Sequence, residues 1–338
     1  MKSLYHIFFL LLLSACSGGQ SPRPVPEQKE YSRDIRGEAP SQISTSADEI
    51  AEPLEITPAD VTFRTVSIAD PFDPDTALRR LYPGAFQENS FPDRANYVLW
   101  KCPGCDPSVF PGWLPEEPRY FPDPQGMETE VARSFRYTEQ GKELAAVFFS
   151  SHEIRYGEPG SGRFFCAVMG AALFEKRNER WELVAFHPGN DCTGTYGEAR
   201  TPDTLRLNGK MKFILEDVNG GAGAPYIGRY TLYDFGKQTF RKLLTVPEGS
   251  LGNYRHQWLT TFNFIQGETG EPVIVAATTG TYDEQTASDL ADYNLGGPFG
   301  DIFGQKEYNS FVITRTYRYR GSEYKLEKQA TDLSFKKL

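Results

Sequence analysis

Through most of its length this chain runs from one apolar segment to the next, each closed by a short turn of glycine, asparagine or charged residues. VARSFRYTE and ELAAVFFSS flank Gln140-Gly141-Lys142. RFFCAVMGAALFEK turns at Arg177-Asn178-Glu179 into RWELVAFHP, and PYIGRYTLYDF meets TFRKLLTV at Gly236-Lys237. Side chains of a strand alternate between faces, so pairs at this spacing read as antiparallel hairpins. The stretch Phe164 to Phe174 is apolar at every position, which as a strand requires burial on both faces. A buried helix of that length is the alternative; Gly162, Gly170 and the hairpin partner that follows favour the strand. In NSFVITRTYRYR, Phe311, Ile313, Tyr317 and Tyr319 share one face, and Thr314, Thr316, Arg318 and Arg320 the other. Gly321-Ser322-Glu323 then turns into YKLEKQA.

With MKFILEDV, HQWLTTFNFI and PVIVAATTG the series reaches about fourteen strands in units of roughly 40–60 residues. The expected fold class is mainly β, antiparallel hairpin meanders arranged as a propeller-like or layered β-sandwich structure. One short helix is expected, TALRRLY, opened by Asp73-Pro74-Asp75 and stopped by Pro83-Gly84. VTFRTVSI ahead of it alternates as a strand, ANYVLW reads as another, and residues 102–127, dense in Pro and Gly, read as an irregular loop.

The texture changes before residue 61. Residues 17–60 hold Pro22, Pro24, Pro26, Pro40, Pro53 and Pro58, with Tyr31 as the single aromatic residue. So little apolar surface does not offset the entropy of ordering, and proline-rich chains extend by about 3 Å per residue. The stretch reads as a tether, with packing onto the body as an edge the alternative.

Ahead of it stands MKSLYHIFFLLLLSAC: Lys2, an apolar run from Ile7 to Leu13, then Ser14, Ala15 and Cys16. The run falls short of the ~20 residues a membrane-spanning helix needs and fits a secretory signal. Leu13-Ser14-Ala15-Cys16 resembles the lipobox of bacterial lipoproteins, which are cut before the cysteine and lipidated on its thiol. That resemblance implies a signal peptide over 1–15, a lipidated Cys16 opening a tether over 16–60, and a single globular domain over 61–338. Ser17 stands where members kept in the inner membrane carry Asp, so the resemblance implies an outer-membrane anchor, with the body facing the periplasm. The segment ILEDVNGGAGAPYIGRYTLYDF and the hairpin TYRYRGSEYKL resemble blades of FG-GAP or VCBS-type propellers. After Asp217 and Asn219, however, Gly220, Gly221 and Ala222 replace the oxygen ligands that a calcium loop needs. No metal is carried over, and the only group expected on the chain is the covalent lipid.

The compartment bears on the other four cysteines. Cys102-Pro103-Gly104-Cys105 lacks the βαβ setting of a redox CxxC, and Cys166 and Cys192 do not supply the second pair of a zinc knuckle. Outside the cytoplasm an even number reads as disulfides. Three pairings exist; the local one joins Cys102 to Cys105 and Cys166 to Cys192, the latter contributing ~3 kcal/mol in the chain-entropy model.

A net charge of −9 argues against nucleic acid, which demands clustered Lys and Arg. His152, His187 and His256 stand apart from any nucleophile or metal motif, so no catalytic residue is assigned. The long acidic segment with Asp283, Glu284, Asp289, Asp292 and Asp301, together with Asp191 and Tyr196, is the candidate recognition surface, since loops of that size are uncommon without a role. The expectation is a monomeric envelope lipoprotein acting as a binding or structural module through its loops, toward a protein or glycan. Two alternatives stand beside it, a periplasmic inhibitor or immunity protein against a toxin or hydrolase, and a metal-dependent hydrolase. Labelled palmitate is expected to enter the wild-type chain and not Cys16→Ala; equal labelling contradicts the anchor.

Overall fold

Two-residue turns set the register of the sheets. The backbone of Gln140 and Gly141, of Asn178 and Glu179, and of Asn208 and Gly209 takes φ between 48° and 78°. This left-handed geometry matches the twist of a tight hairpin. The computed structural model describes residues 51–89, 95–106, 108–110, 119–154, 166–194, 199–218, 226–251, 258–265, 267, 271–282 and 308–335. Within them, Ile50–Leu338 forms one compact unit.

The first sheet contains β1 (Leu54–Glu55), β2 (Ser67–Ala69), β3 (Ala85–Gln87), β4 (Tyr97–Lys101), β7 (Met127–Glu139), β8 (Lys142–Glu153), β9 (Ala167–Arg177) and β10 (Arg180–Thr193). Its order is β1-β4-β7-β8-β9-β10-β2, with β3 beside β4. A small separate hairpin joins β5 (Ser108–Phe110) to β6 (Arg119–Phe121), within the stretch expected to be irregular. The second sheet is a meander of eight strands in sequence order. They are β11 (Asp203–Leu207), β12 (Lys210–Val218), β13 (Tyr226–Phe235), β14 (Phe240–Leu251), β15 (Trp258–Ile265), β16 (Val273–Tyr282), β17 (Tyr308–Arg320) and β18 (Glu323–Phe335).

The mainly-β expectation holds, with largely antiparallel sheets, the second of them curled into a half-barrel, and a single α-helix among the described residues. That helix, α1 (Pro74–Leu81), begins where Asp73 accepts the Thr76 amide at 2.9 Å and lays Ala77, Leu78 and Leu81 into the core. Two local expectations change. Of VTFRTVSI only Ser67 and Ile68 are strand, within Ser67–Ala69, because Pro58–Val61 forms a 3-10 turn instead. The body also begins before residue 61: Leu54 and Glu55 pair in parallel with β4, and Ile56 is buried after donating its amide to the Lys101 carbonyl at 2.8 Å.

Three apolar layers result. Odd-numbered residues of β8 (Ala145, Val147, Phe149) face the helix side of the first sheet with Tyr82, Trp100, Phe174 and Trp181. Even-numbered ones (Ala146, Phe148) face the second sheet with Met169, Ala171, Phe213, Leu215, Tyr233 and Phe240. The third layer fills the hollow of the curled sheet with Leu207, Leu232, Val246, Ile274, Tyr317 and Tyr324. The run through β9 is thus a strand buried on both faces, as its composition requires. Gly170 within it leaves room for a close approach, since a Cβ there would meet the Tyr82 hydroxyl and the Pro188 carbonyl oxygen, both at 2.6 Å.

Phe148 centres the layer between the sheets, with ring centroids 5.2 Å from Phe213 and 5.6 Å from Phe240. Polar ties frame it. Arg133 pairs with Asp203 at 2.8 Å, and Glu139 accepts the Met211 amide at 2.5 Å. Phe148→Ala is expected to lower unfolding stability by ~3–5 kcal/mol, the range for a buried Phe in a core unable to collapse. Denaturant titration checks it, and a loss below ~1 kcal/mol contradicts the layer assignment.

Candidate functional site

The second sheet is not evenly stitched. Its other neighbouring strands share ladders of several residues, whereas among the described residues β14 and β15 share the single pair Gly249↔Leu259. Continuing that register would set Val246 opposite Phe262 and Leu244 opposite Phe264, but those residues do not pair. Pro247 lies at the parting point and has no amide hydrogen to give. Bulges at Gly228/Arg229 and Leu232/Tyr233 in the adjoining β13–β14 ladder add local bending.

On the concave side a shallow apolar groove borders this seam, partly open to solvent, with an enclosed volume of about 10 Å³, room for roughly one water molecule. It is lined by Ile214, Tyr230, Leu232, Leu244, Val246, Phe262, Phe264 and Ile274. Tyr230 and Phe262 meet edge-on across it with centroids 5.0 Å apart. The far rim is held by the β17–β18 hairpin. The Tyr319 hydroxyl accepts from Arg241 at 3.3 Å, and Arg241 and the buried Lys212 both pair with Asp234, at 3.4 and 2.8 Å.

A row of polar side chains continues the same concave face beyond the cleft. The Thr260 and Thr278 hydroxyls, both buried, lie 2.8 Å apart. Arg315, only 1% exposed, sits opposite Ala276, which is one strand repeat from Ile274 in the cleft wall. Burial draws the Arg315 guanidinium below its ordinary pKa, partly offset by the Tyr317 hydroxyl, while burial raises that hydroxyl in turn. Arg315 is not among the residues that the sequence singles out. Its signal was the strand period itself, which places residue 315 on the face of Ile313 and Tyr317.

The residues singled out from sequence fall in several places. Both local disulfides are present, Cys102–Cys105 and Cys166–Cys192, with Cα–Cα separations of 5.3 and 5.5 Å. Asp191 lies on β10 and ties the two sheets: its carboxylate accepts the Tyr233 hydroxyl at 2.8 Å and pairs with Lys242 at 2.6 Å. Cys16, Tyr196, Asp283, Glu284, Asp289, Asp292 and Asp301 lie outside the described residues, as does His256. His152 stands 3.7 Å from Glu128, whose carboxyl is raised by burial. His187 is lowered by burial, against a hydrogen bond to the Gly189 backbone that acts the other way. Three residues therefore separate into inter-sheet tie (Asp191) and half-buried strand positions (His152 and His187), none of them on the concave face of the second sheet.

Comparison with family models, with curated proteins and with solved structures finds no match to this chain. The geometry of the cleft and its polar row is therefore the basis for reading its chemistry. Eight apolar lining residues form a shallow surface beside β14 and β15, which are neighbours in the sheet but share one ladder pair there. Buried backbone donors and acceptors rarely stay unpaired, so the parted edges favour a ligand that supplies main-chain hydrogen bonds.

Proposed function

We propose that this chain is a membrane-anchored envelope lipoprotein whose β body serves as a non-enzymatic binding module. The anchor rests on the lipobox-like ending at Cys16, and a tether ahead of Ile50 would hold the body away from the membrane. The observation that carries the binding reading is the seam between β14 and β15. There a shallow apolar groove runs beside a ladder reduced to one pair, and an extended segment entering the loosened seam would supply main-chain hydrogen bonds as in strand addition, a recurrent mode of peptide recognition. Main-chain hydrogen bonds would give the affinity, and the pockets at Phe262, Phe264 and Leu244 would select alternate apolar side chains. The expected ligand is thus an extended segment of an envelope protein, and the acidic stretch with Asp283 to Asp301 is proposed as a separate recognition segment.

A photoreactive residue introduced at Phe264 in the full chain in living cells tests this reading. The expected product is a polypeptide adduct that is absent when the group stands instead at Thr261, an exposed residue of the same strand. A lipid adduct at position 264, or no adduct, contradicts the binding mode.

A further inference from the structure

Strand β18 closes the second sheet, and among the described residues only β17 pairs with it. An edge of this length is a template for a further strand, and proteins guard such edges with bulges and charges. Here the guard is local. Tyr317 pairs with Leu326 and Thr316 with Lys328, so Glu327 is an extra residue that breaks the first half of the edge. Glu327 is also engaged by its own sheet, pairing with Arg318 at 2.9 Å. From Lys328 to Asp332 the ladder to β17 is regular, residue against residue. Lys328, Ala330, Thr331 and Asp332 are exposed and Gln329 is half-buried.

We infer that this half of β18 pairs with the same segment of a second copy of the chain, antiparallel about a two-fold axis at Ala330. In such a pair residues facing one another share a sheet face, so the axis must pass through a residue and not between two. Centred on Ala330, Lys328 faces the partner's Asp332, Gln329 faces the partner's Thr331, and Ala330 faces the partner's Ala330. Each pairing occurs twice, as an isologous contact demands, and each charge in the segment meets its opposite. Moving the axis to Lys328 sets two ammonium groups against each other. Moving it to Gln329 or Thr331 leaves the charges facing alanine. Small side chains at the axis let the backbones approach, and opposite charges on both flanks fix the register. The bulge at Glu327 stops the pairing from spreading toward Leu326. None of Lys328 to Asp332 lines the groove at the β14–β15 seam, and the inference stands independently of the binding proposal; the sequence expectation was a monomer.

The test uses the full chain in its membrane, read by non-reducing electrophoresis. Facing residues of an antiparallel pair have Cα atoms about 4.5–5.5 Å apart, inside the range a disulfide spans. Ala330→Cys is therefore expected to give a covalent dimer, and Leu326→Cys, beyond the bulge, is not. In the Ala330→Cys background, Lys328→Asp is expected to cut dimer yield about tenfold by setting like charges opposite one another. Adding Asp332→Lys to that variant restores the opposite-charge pairs and the yield. A dimer no more abundant from Ala330→Cys than from Leu326→Cys overturns the inference, as does a yield indifferent to Lys328→Asp or one that the double exchange fails to restore.

Discussion

Phe148 and Phe149 are neighbours in the chain and point to opposite faces of one strand, so two adjacent rings enter two different cores. This follows from the period of two in an extended backbone. Phe149 packs edge-on against Tyr82 at 5.3 Å on the helix side, and Phe148 packs against Phe213 at 5.2 Å on the other. Strand β9 repeats the division with Ala172 and Phe174 against Met169 and Ala171. The remaining architecture hangs on this central pair of strands. The helix and the N-terminal strands have a surface to cover, and the second sheet has a wall against which to curl.

The curled sheet has to satisfy two demands that conflict at one place. Its convex side must follow the first sheet, held by Asp191 against Tyr233 and Lys242 and by the contact of Phe186 with the Gln238 carbonyl at 3.2 Å. Its far hairpin must swing back to close the hollow, held where Tyr319 and Arg241 meet. Bending of that size is concentrated at bulges and at proline, and the ladder parts between β14 and β15, where Pro247 stands. The seam is a consequence of closure, and the groove beside it is lined by apolar side chains. Arg315 is buried on the same concave face, at the cost of desolvation, beside the Thr260–Thr278 pair.

How much of this was legible in the sequence depends on the range of the interaction that sets each feature. The tight turns and the Asp73 cap are local, and they read directly from Gln140-Gly141, Arg177-Asn178-Glu179 and Asp73-Pro74. The double burial through β9 was legible because an uninterrupted apolar strand has no other way to satisfy both faces. That the four cysteines form disulfides was legible from their even number, whereas the choice among three pairings was not, and the structure takes the local one. The short strand Leu54–Glu55 was hidden, because its parallel partner lies more than forty residues away at Trp100 and Lys101. VTFRTVSI alternates well, yet Pro58 and the Thr57–Asp60 hydrogen bonds fold its approach into a turn. Asp191 read as a loop residue because Gly189 and Gly194 flank it, while its Tyr233 and Lys242 partners are more than forty residues on. The β14–β15 seam depends on curvature summed over several strands, and no single segment encodes it.

If the β8–β9 pair is shared by both cores, the body unfolds as one cooperative unit with those strands as its last protected element. Native-state hydrogen exchange followed by peptide mass analysis measures this directly. Amides of residues 145–149 and 170–174 are expected to exchange only through global unfolding, with β15 to β18 opening at lower free energy. Exchange of the β8 and β9 amides ahead of the β17–β18 hairpin, or two halves that open independently with equal protection, would contradict the account.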